Sequence, residues 1–341
     1  LQLALGDYGR NLNDEDFYID SHDQRIPQIV IDIRIIASNV DGSRQPLFDD
    51  EWSIEFGDKI QADLNGHQFL AIRTVAKPDN VKGGFSLIRH ALLQWPEFDH
   101  WRDYNTNKNQ KISKRYDSLP FIAIEAQRDI HQDLKEKSSF IGKVLSNIKY
   151  NEQDVSQLEQ MVAKINLEAV DKSKPLTDLK NHLNTLSQSF DNSGKTELTP
   201  FPKKIRDMSK RFSIHYGETE SNSFPMEYHG MGTRSWASML TVKAFIELMT
   251  NKHKEEVKPF FPILAAEEPE AHLHPNAQRT LYQQLLESSG QVIISTHSPY
   301  LAAMSELANI RCLRSNGSNV CYHSLIDGLD AEDINILHRE V

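Results

Sequence analysis

The chain has 341 residues, with 48 acidic against 38 basic side chains and a formal net charge of −10. Its mean hydropathy is −0.53, no window approaches ~18 uninterrupted apolar residues, and Cys312 and Cys321 are the only cysteines; these facts exclude a membrane-spanning helix, a disulfide framework and a four-cysteine zinc site, and point to a reducing cytoplasm. The length suits two domains or one domain with a sizeable insert, and the acidic balance argues against non-specific coating of nucleic acid while leaving room for a local basic groove.

Residues 1–6, LQLALG, have apolar side chains at helical spacing and a glycine stop, like the last turns of a helix. The chain opens on Leu rather than Met, with no basic-then-apolar leader, so a fragment of a longer chain is expected. Residues 29–37 alternate apolar positions with Asp32 and Arg34, which predicts a half-buried strand. Residues 52–56, 60–64 and 67–75 read as further strands of a meander, with Asn65-Gly66 as a hairpin turn. Residues 119–126 read as a buried strand.

From 130 to 190 the pattern turns helical and polar. Val155, Leu158, Val162 and Ile165 form one seam, and Leu176, Leu179, Leu183, Leu186 and Phe190 form a second. Pro175 places a turn at 172–175. The pair is either an ordinary amphipathic helical hairpin or a dimerisation arm. Beyond Pro200, strands are expected over 212–216, 263–266 and 291–295, and helices over 235–249 and 275–288. Buried strands alternating with helices predict a mostly parallel sheet. No internal repeat of fixed period is present. The expected organisation is a first lobe over 1–129, a helical insert over 130–200 and a second lobe over 201–341.

Three segments carry chemistry. PILAAEEPEAHLHP, residues 262–275, ends an apolar strand in the adjacent carboxylates Glu267 and Glu268. The carboxyl end of a strand is where open α/β sheets bind ligands. Two carboxylates there suit one Mg²⁺ contact and one general base for water. QVIISTHSPYLA, residues 291–302, ends a second strand at His297. His297 lies 30 positions after Glu267, which is room for a helix and a return to the next parallel strand. YHGMGTRSWASML, residues 228–240, precedes both. Gly230 and Gly232 would let backbone approach a phosphate, Thr233 or Ser235 would cap the helix, and Arg234 adds a fixed positive charge.

In this order the segments resemble the signature, Walker B and switch-histidine motifs of ABC-type ATPases of the SMC/RecF kind. EEPEAHLHP followed by STHSPYL most resembles the overcoming-lysogenization-defect (OLD) family of ATP-dependent nucleases, which includes the nuclease subunit of Gabija-type phage defence. The resemblance implies an α/β, ABC-type P-loop ATPase head with a mixed sheet and a helical insert. It implies ATP and Mg²⁺ as cofactors, with Glu267 in the metal shell, Glu268 polarising the attacking water and His297 sensing the γ-phosphate. Residues 271–276 would be the loop that meets a partner subunit. Gly230, Gly232 and Ser235 would act on ATP held by the other subunit of a homodimer or higher homo-oligomer. Gln127 falls where such heads place a Q-loop glutamine, within reach of Mg²⁺ or water. The family couples the head to a Toprim nuclease acting on DNA, and a defence partner protein is a further implied contact; no membrane is involved.

No complete P-loop, G-x-x-x-x-G-K-[ST], occurs. Residues 193–196, SGKT, lack the upstream glycine, since position 189 is Ser, and they follow a helical seam rather than a buried strand. They read as a polar connector. The family's P-loop precedes residues like LQLALG, so the resemblance implies a start just after that loop, and inefficient ATP hydrolysis by the chain alone. Asp327, Asp330, Glu332 and Asp333 have no buried strand before them and read as a solvated linker, not a nuclease centre. Lys203, Lys204, Arg206, Lys210 and Arg211, and likewise Lys108, Lys111, Lys114 and Arg115, form basic runs that track a DNA backbone or simply face solvent. A stand-alone RecF/SMC-like ATPase without a nuclease, and a non-catalytic dimerisation scaffold, are the competing readings.

Overall fold

In a computed structural model of the chain, LQLALG forms one helical turn, Gln2–Leu5 (α1), which ends at Gly6 as expected. Gly6 is required for room rather than handedness: its φ is −74°, and a Cβ there would lie 2.5 Å from the carbonyl oxygen of Gln2. The structure describes residues 1–6, 12–20, 22, 24–39, 42–79, 81, 83–113, 116–126, 129–134, 139–146, 150–188, 198–204, 213–217, 223–316, 319–330 and 333. The chain divides into two units, Leu1–Gln127 with Ile246–Val341, and Arg128–Phe245.

In the first unit, Ile29–Ile36 (β1) is followed by a helix, Asp50–Phe56 (α2), and by strands Gln61–Ala62 (β2), Gln68–Pro78 (β3) and Phe85–Leu92 (β4). The four strands form an antiparallel sheet in which β3 pairs with each of the others. Asp32 and Arg73 are register partners across β1 and β3. The Arg73 guanidinium donates to both Asp32 oxygens, at 2.8 and 2.6 Å, and to the carbonyls of Trp101 and Tyr104. A buried charge is tolerated when its donors are matched in this way. The hairpin at Asn65-Gly66 forms as predicted. Gly66 takes φ +78°, and the Asp63 carboxylate accepts the amides of Asn65 and His67 at 3.0 Å each.

Two expectations fail here. Residues 52–56 are helical, not extended. Trp52 and Phe56 share a face at helical as well as at strand spacing, and their rings pack 5.2 Å apart. Ile54 separates the two readings, and it is 82% exposed. Asp50 and Glu51 in the first turn favour the helix N-terminus, and Gly57 at φ +55° ends it. The strand expected over 60–64 shrinks to β2. Strand β4 was not anticipated.

Phe121–Ile124 (β5) closes this stretch of the first unit. The second unit contains helices Ile130–Asp133 (α3), Phe140–Ser146 (α4), Glu152–Asp171 (α5) and Lys174–Gln188 (α6). The Asn151 side chain caps α5 by accepting the Asp154 amide at 2.7 Å. The turn between α5 and α6 is tight, with Pro175 already inside α6. Val162 is buried, but Ile165 is 53% exposed, and the inward position goes to Asn166. The Asn166 amide bonds both ways to the Phe201 backbone, accepting at 2.7 Å and donating at 3.0 Å. A short antiparallel pair, His215–Gly217 (β6) with Ser223–Pro225 (β7), precedes helix Met231–Glu255 (α7), which starts earlier than residue 235. The side chains of Leu183 and Leu186 lie outside the described residues. So do Phe190, Phe212, Gln127, the SGKT tetrapeptide at 193–196, Lys114, Arg115, Arg206, Lys210, Arg211 and Glu332.

The first unit resumes with Ile263–Glu267 (β8), Pro275–Leu286 (α8), Gln291–Ser295 (β9) and Pro299–Ala303 (α9). Strands β5, β8 and β9 form a parallel sheet with β8 in the middle. Helix α8 is the crossover that a parallel return requires. Around α1, the buried Ala4, Leu5 and Ile263 pack with Ile31, Phe121 and Ile293. A hairpin of Arg311–Asn316 (β10) and Asn319–Ser324 (β11), not anticipated from the pattern, follows. The architecture is a mixed α/β fold with parallel and antiparallel sheets.

Candidate functional site

Strand β8 reaches the site because its interior residues are apolar: Ile263, Leu264 and Ala266 are buried. Its last residue, Glu267, is exposed and is the register partner of Ser295 at the end of β9. The two strands therefore finish side by side at their carboxyl ends, the edge where open α/β sheets place ligands.

Glu268 leaves the strand through a left-handed kink, with φ +41°, and its amide donates to the Ser295 carbonyl at 2.9 Å. A non-glycine residue in this region costs roughly 1–2 kcal/mol, and such positions cluster at functional sites. The kink feeds a compact turn in which Ala271 N–H donates to the Glu268 carbonyl and Leu273 N–H to the Glu270 carbonyl, each at 2.9 Å. A second left-handed residue, His272 at φ +67°, completes it. His274 then caps α8, with Pro275 at the first helical position.

His297 projects from the loop after β9. Its side chain is 90% exposed, and Nε2 lies 3.5 Å from Oε1 of Glu268, which is 44% exposed. That exposure rules out a core histidine. The structure thus brings together Glu267, Glu268 and His297. The two adjacent carboxylates are the hard oxygen donors that Mg²⁺ takes, and this ion is commonly held by one or two carboxylates plus substrate phosphates. Among the described residues, no cluster of three or more His, Cys, Asp or Glu side chains is placed to hold a metal by itself.

Glu270 lies in the same turn, two residues past Glu268. Its Oε1 accepts the Thr296 hydroxyl at 2.5 Å, the His297 amide at 3.1 Å and the Ser298 amide at 3.2 Å. Ser298 in turn caps α9 and donates its hydroxyl to Gln278 at 2.7 Å. Gln278 returns a bond to the Leu273 carbonyl at 3.0 Å. Side chains of the carboxylate turn and of α8 thereby grip the histidine loop. The only trace of this in the sequence is a third carboxylate two residues past the Glu267-Glu268 pair.

The Gly-containing segment belongs to the second unit. Helix α7 begins at Met231, and Arg234 N–H donates to the Gly230 carbonyl at 3.2 Å, so Gly230 occupies the capping position. The expectation that Thr233 or Ser235 caps the helix is therefore corrected: both lie inside its first turns. Ser235 is buried, Gly230 is exposed, and Gly232, Thr233 and Arg234 are half-buried. Arg234 is not a loose charge. It pairs with Asp129 at 2.9 Å and touches the Met231 sulfur. Ser238, one turn further on, donates to Asp133. The first amides of α7 have no partner within the helix and carry its positive dipole end, which favours an anion.

The AAA ATPase domain family matches residues 58–302, which is more than half of the chain. A comparison with curated proteins finds no match. Among solved structures, the chain is similar to the recombination mediator protein RecF-ATP in the RecFOR pathway, at 12% identity and a TM-score of 0.27, over 77% of this chain and 84% of that one. A likeness so remote carries no argument about the site.

Proposed function

The chain belongs to the AAA ATPase domain family, and from that premise we propose that Glu267, Glu268 and His297 form the hydrolytic part of an ABC-type ATP site. The observation that carries this reading is their convergence at the ends of adjacent parallel strands, with Glu268 and His297 within 3.5 Å. Glu268 accepts the proton of the attacking water. Glu267 offers an oxygen to Mg²⁺, which neutralises phosphate charge when bound. The exposed imidazole of His297 presents a hydrogen-bond donor to a phosphate oxygen or to that water. Gln127 is assigned to the same metal or water.

In this proposal the start of α7, with Gly230, Gly232, Thr233, Arg234 and Ser235, addresses the phosphates of ATP held by a second copy. The working unit is a cytoplasmic homodimer or higher homo-oligomer. The motif pattern EEPEAHLHP with STHSPYL supports the further proposal that the whole protein is an OLD-type ATP-dependent DNA endonuclease of anti-phage defence, in which nucleotide state gates a Toprim nuclease and a partner protein takes part. Residues 130–200 serve as the helical insert.

The test is Glu268→Gln in the full-length protein with Mg²⁺ and ATP. Loss of a general base lowers turnover by about 100- to 10,000-fold while nucleotide binding persists. Turnover equal to wild type overturns the assignment.

A further inference from the structure

We infer that Glu270 is a positioning residue for the switch histidine, holding the loop that carries His297 in register with Glu268. The inference rests on the ATPase reading of this site. Three donors in consecutive residues, the Thr296 hydroxyl and the amides of His297 and Ser298, converge on one oxygen of Glu270. The Thr296 hydroxyl oxygen also accepts the Ser298 amide at 2.9 Å, so the loop is bonded within itself as well as to the carboxylate. Hydrogen bonds to a charged acceptor are roughly twice as strong as neutral ones. The imidazole itself makes no such anchor: it is 90% exposed and meets Glu268 only at 3.5 Å. Its place therefore depends on its backbone, and the backbone depends on Glu270.

The arrangement also occupies donors that would otherwise form a nest for an anion. Consecutive amides entering a helix attract phosphate. Here an internal carboxylate fills that role, which leaves the imidazole of His297, rather than its loop amides, as the group offered to a bound phosphate. Glu270→Gln keeps an accepting oxygen but loses the charge. It also sets an amide nitrogen where Oε2 lies buried with no hydrogen-bond partner among the described residues. Rescue by glutamine is expected to be partial.

Two readouts separate this inference from the reading beneath it. Hydrogen exchange at the amides of His297 and Ser298, measured on the full-length protein without nucleotide, is expected to quicken in Glu270→Ala and to stay closer to wild type in Glu270→Gln. With Mg²⁺ and ATP, Glu270→Ala is expected to lower kcat by about 10- to 100-fold with little change in KM, as misplaced catalytic groups do. In a His297→Ala background the same substitution is expected to cost less than about twofold, because the two residues act as one unit. Unchanged exchange in Glu270→Ala overturns the inference alone. So does an equal loss of kcat with and without His297, which marks a general structural role. Absence of turnover in the wild-type protein overturns the ATPase reading and the catalytic part of this inference together.

Discussion

Gly290 illustrates how closely the parallel sheet is built. It takes φ +91° just before β9, and a Cβ there would sit 2.0 Å from the Pro262 carbonyl oxygen, which accepts the Gln291 amide. Gly290→Ala combines the left-handed penalty with backbone displacement, so a loss of about 1–3 kcal/mol or more is expected in urea unfolding. Tyr116 sets a pH limit. Burial, with the nearby carboxylates of Glu55 and Asp58, pushes its hydroxyl up to about 12. The folded chain then keeps a proton that the unfolded chain releases near pH ~10, so stability falls as pH rises between those values. Tyr116→Phe keeps the edge contact with Phe56 at 5.2 Å and is expected to flatten that alkaline slope in denaturation measurements. Asp63 acts at the other end of the scale. Partial burial raises its pKa, but the amides of His67 and Asn65 and the Arg44 guanidinium outweigh it and hold the carboxyl below its usual value. Its contribution is present above the ordinary carboxylate range and is lost as pH falls through the depressed folded value. Asp63→Asn is expected to show a smaller acid-side decline.

At the scale of elements, most strands and helices were legible because their apolar periods are long or their boundaries are marked. Strand β9 matches its predicted limits, and α8 begins at the proline that marks it. Helix α2 was misread because three apolar residues at period two also place Trp52 and Phe56 on one helical face. Only the exposure of Ile54, at 82%, shows which spacing is used. Asn166 is the converse case, a polar residue turned inward where the seam called for Ile165. Its reciprocal bonds to Phe201 tie α5 to the chain beyond α6. Asn166→Ala leaves those backbone groups without their partner. An expected cost of about 1–3 kcal/mol should appear in the thermal unfolding of the second unit. A transition that does not move would show that the pair adds nothing.

At the scale of the whole molecule, the carboxylate and histidine strands belong to one unit and the start of α7 to the other. The proposed dimer is tested by light scattering of full-length Glu268→Gln, in which bound nucleotide should persist. Mass is expected to double on addition of Mg²⁺ and ATP, and a strict monomer at high protein concentration would sink the composite site. No described helix is long and apolar enough to cross a membrane. The net charge of −10 argues against non-specific coating of nucleic acid.

By itself the sequence determined the α/β class, the order of the three chemistry-bearing segments and the placement of Glu267, Glu268 and His297 at strand ends. Those features are local: apolar runs of strand length stop at polar residues, and nothing distant is needed to read them. Only the tertiary structure decided that Glu270 holds the histidine loop, that Arg234 is paired with Asp129, that Gly230 rather than Thr233 or Ser235 caps α7, and that residues 52–56 are helical. Each depends on which donor or ring lies across space from a side chain. Spacing along the chain carries no information about that, because a carboxylate, a guanidinium or a tryptophan reads the same in sequence whatever it comes to face.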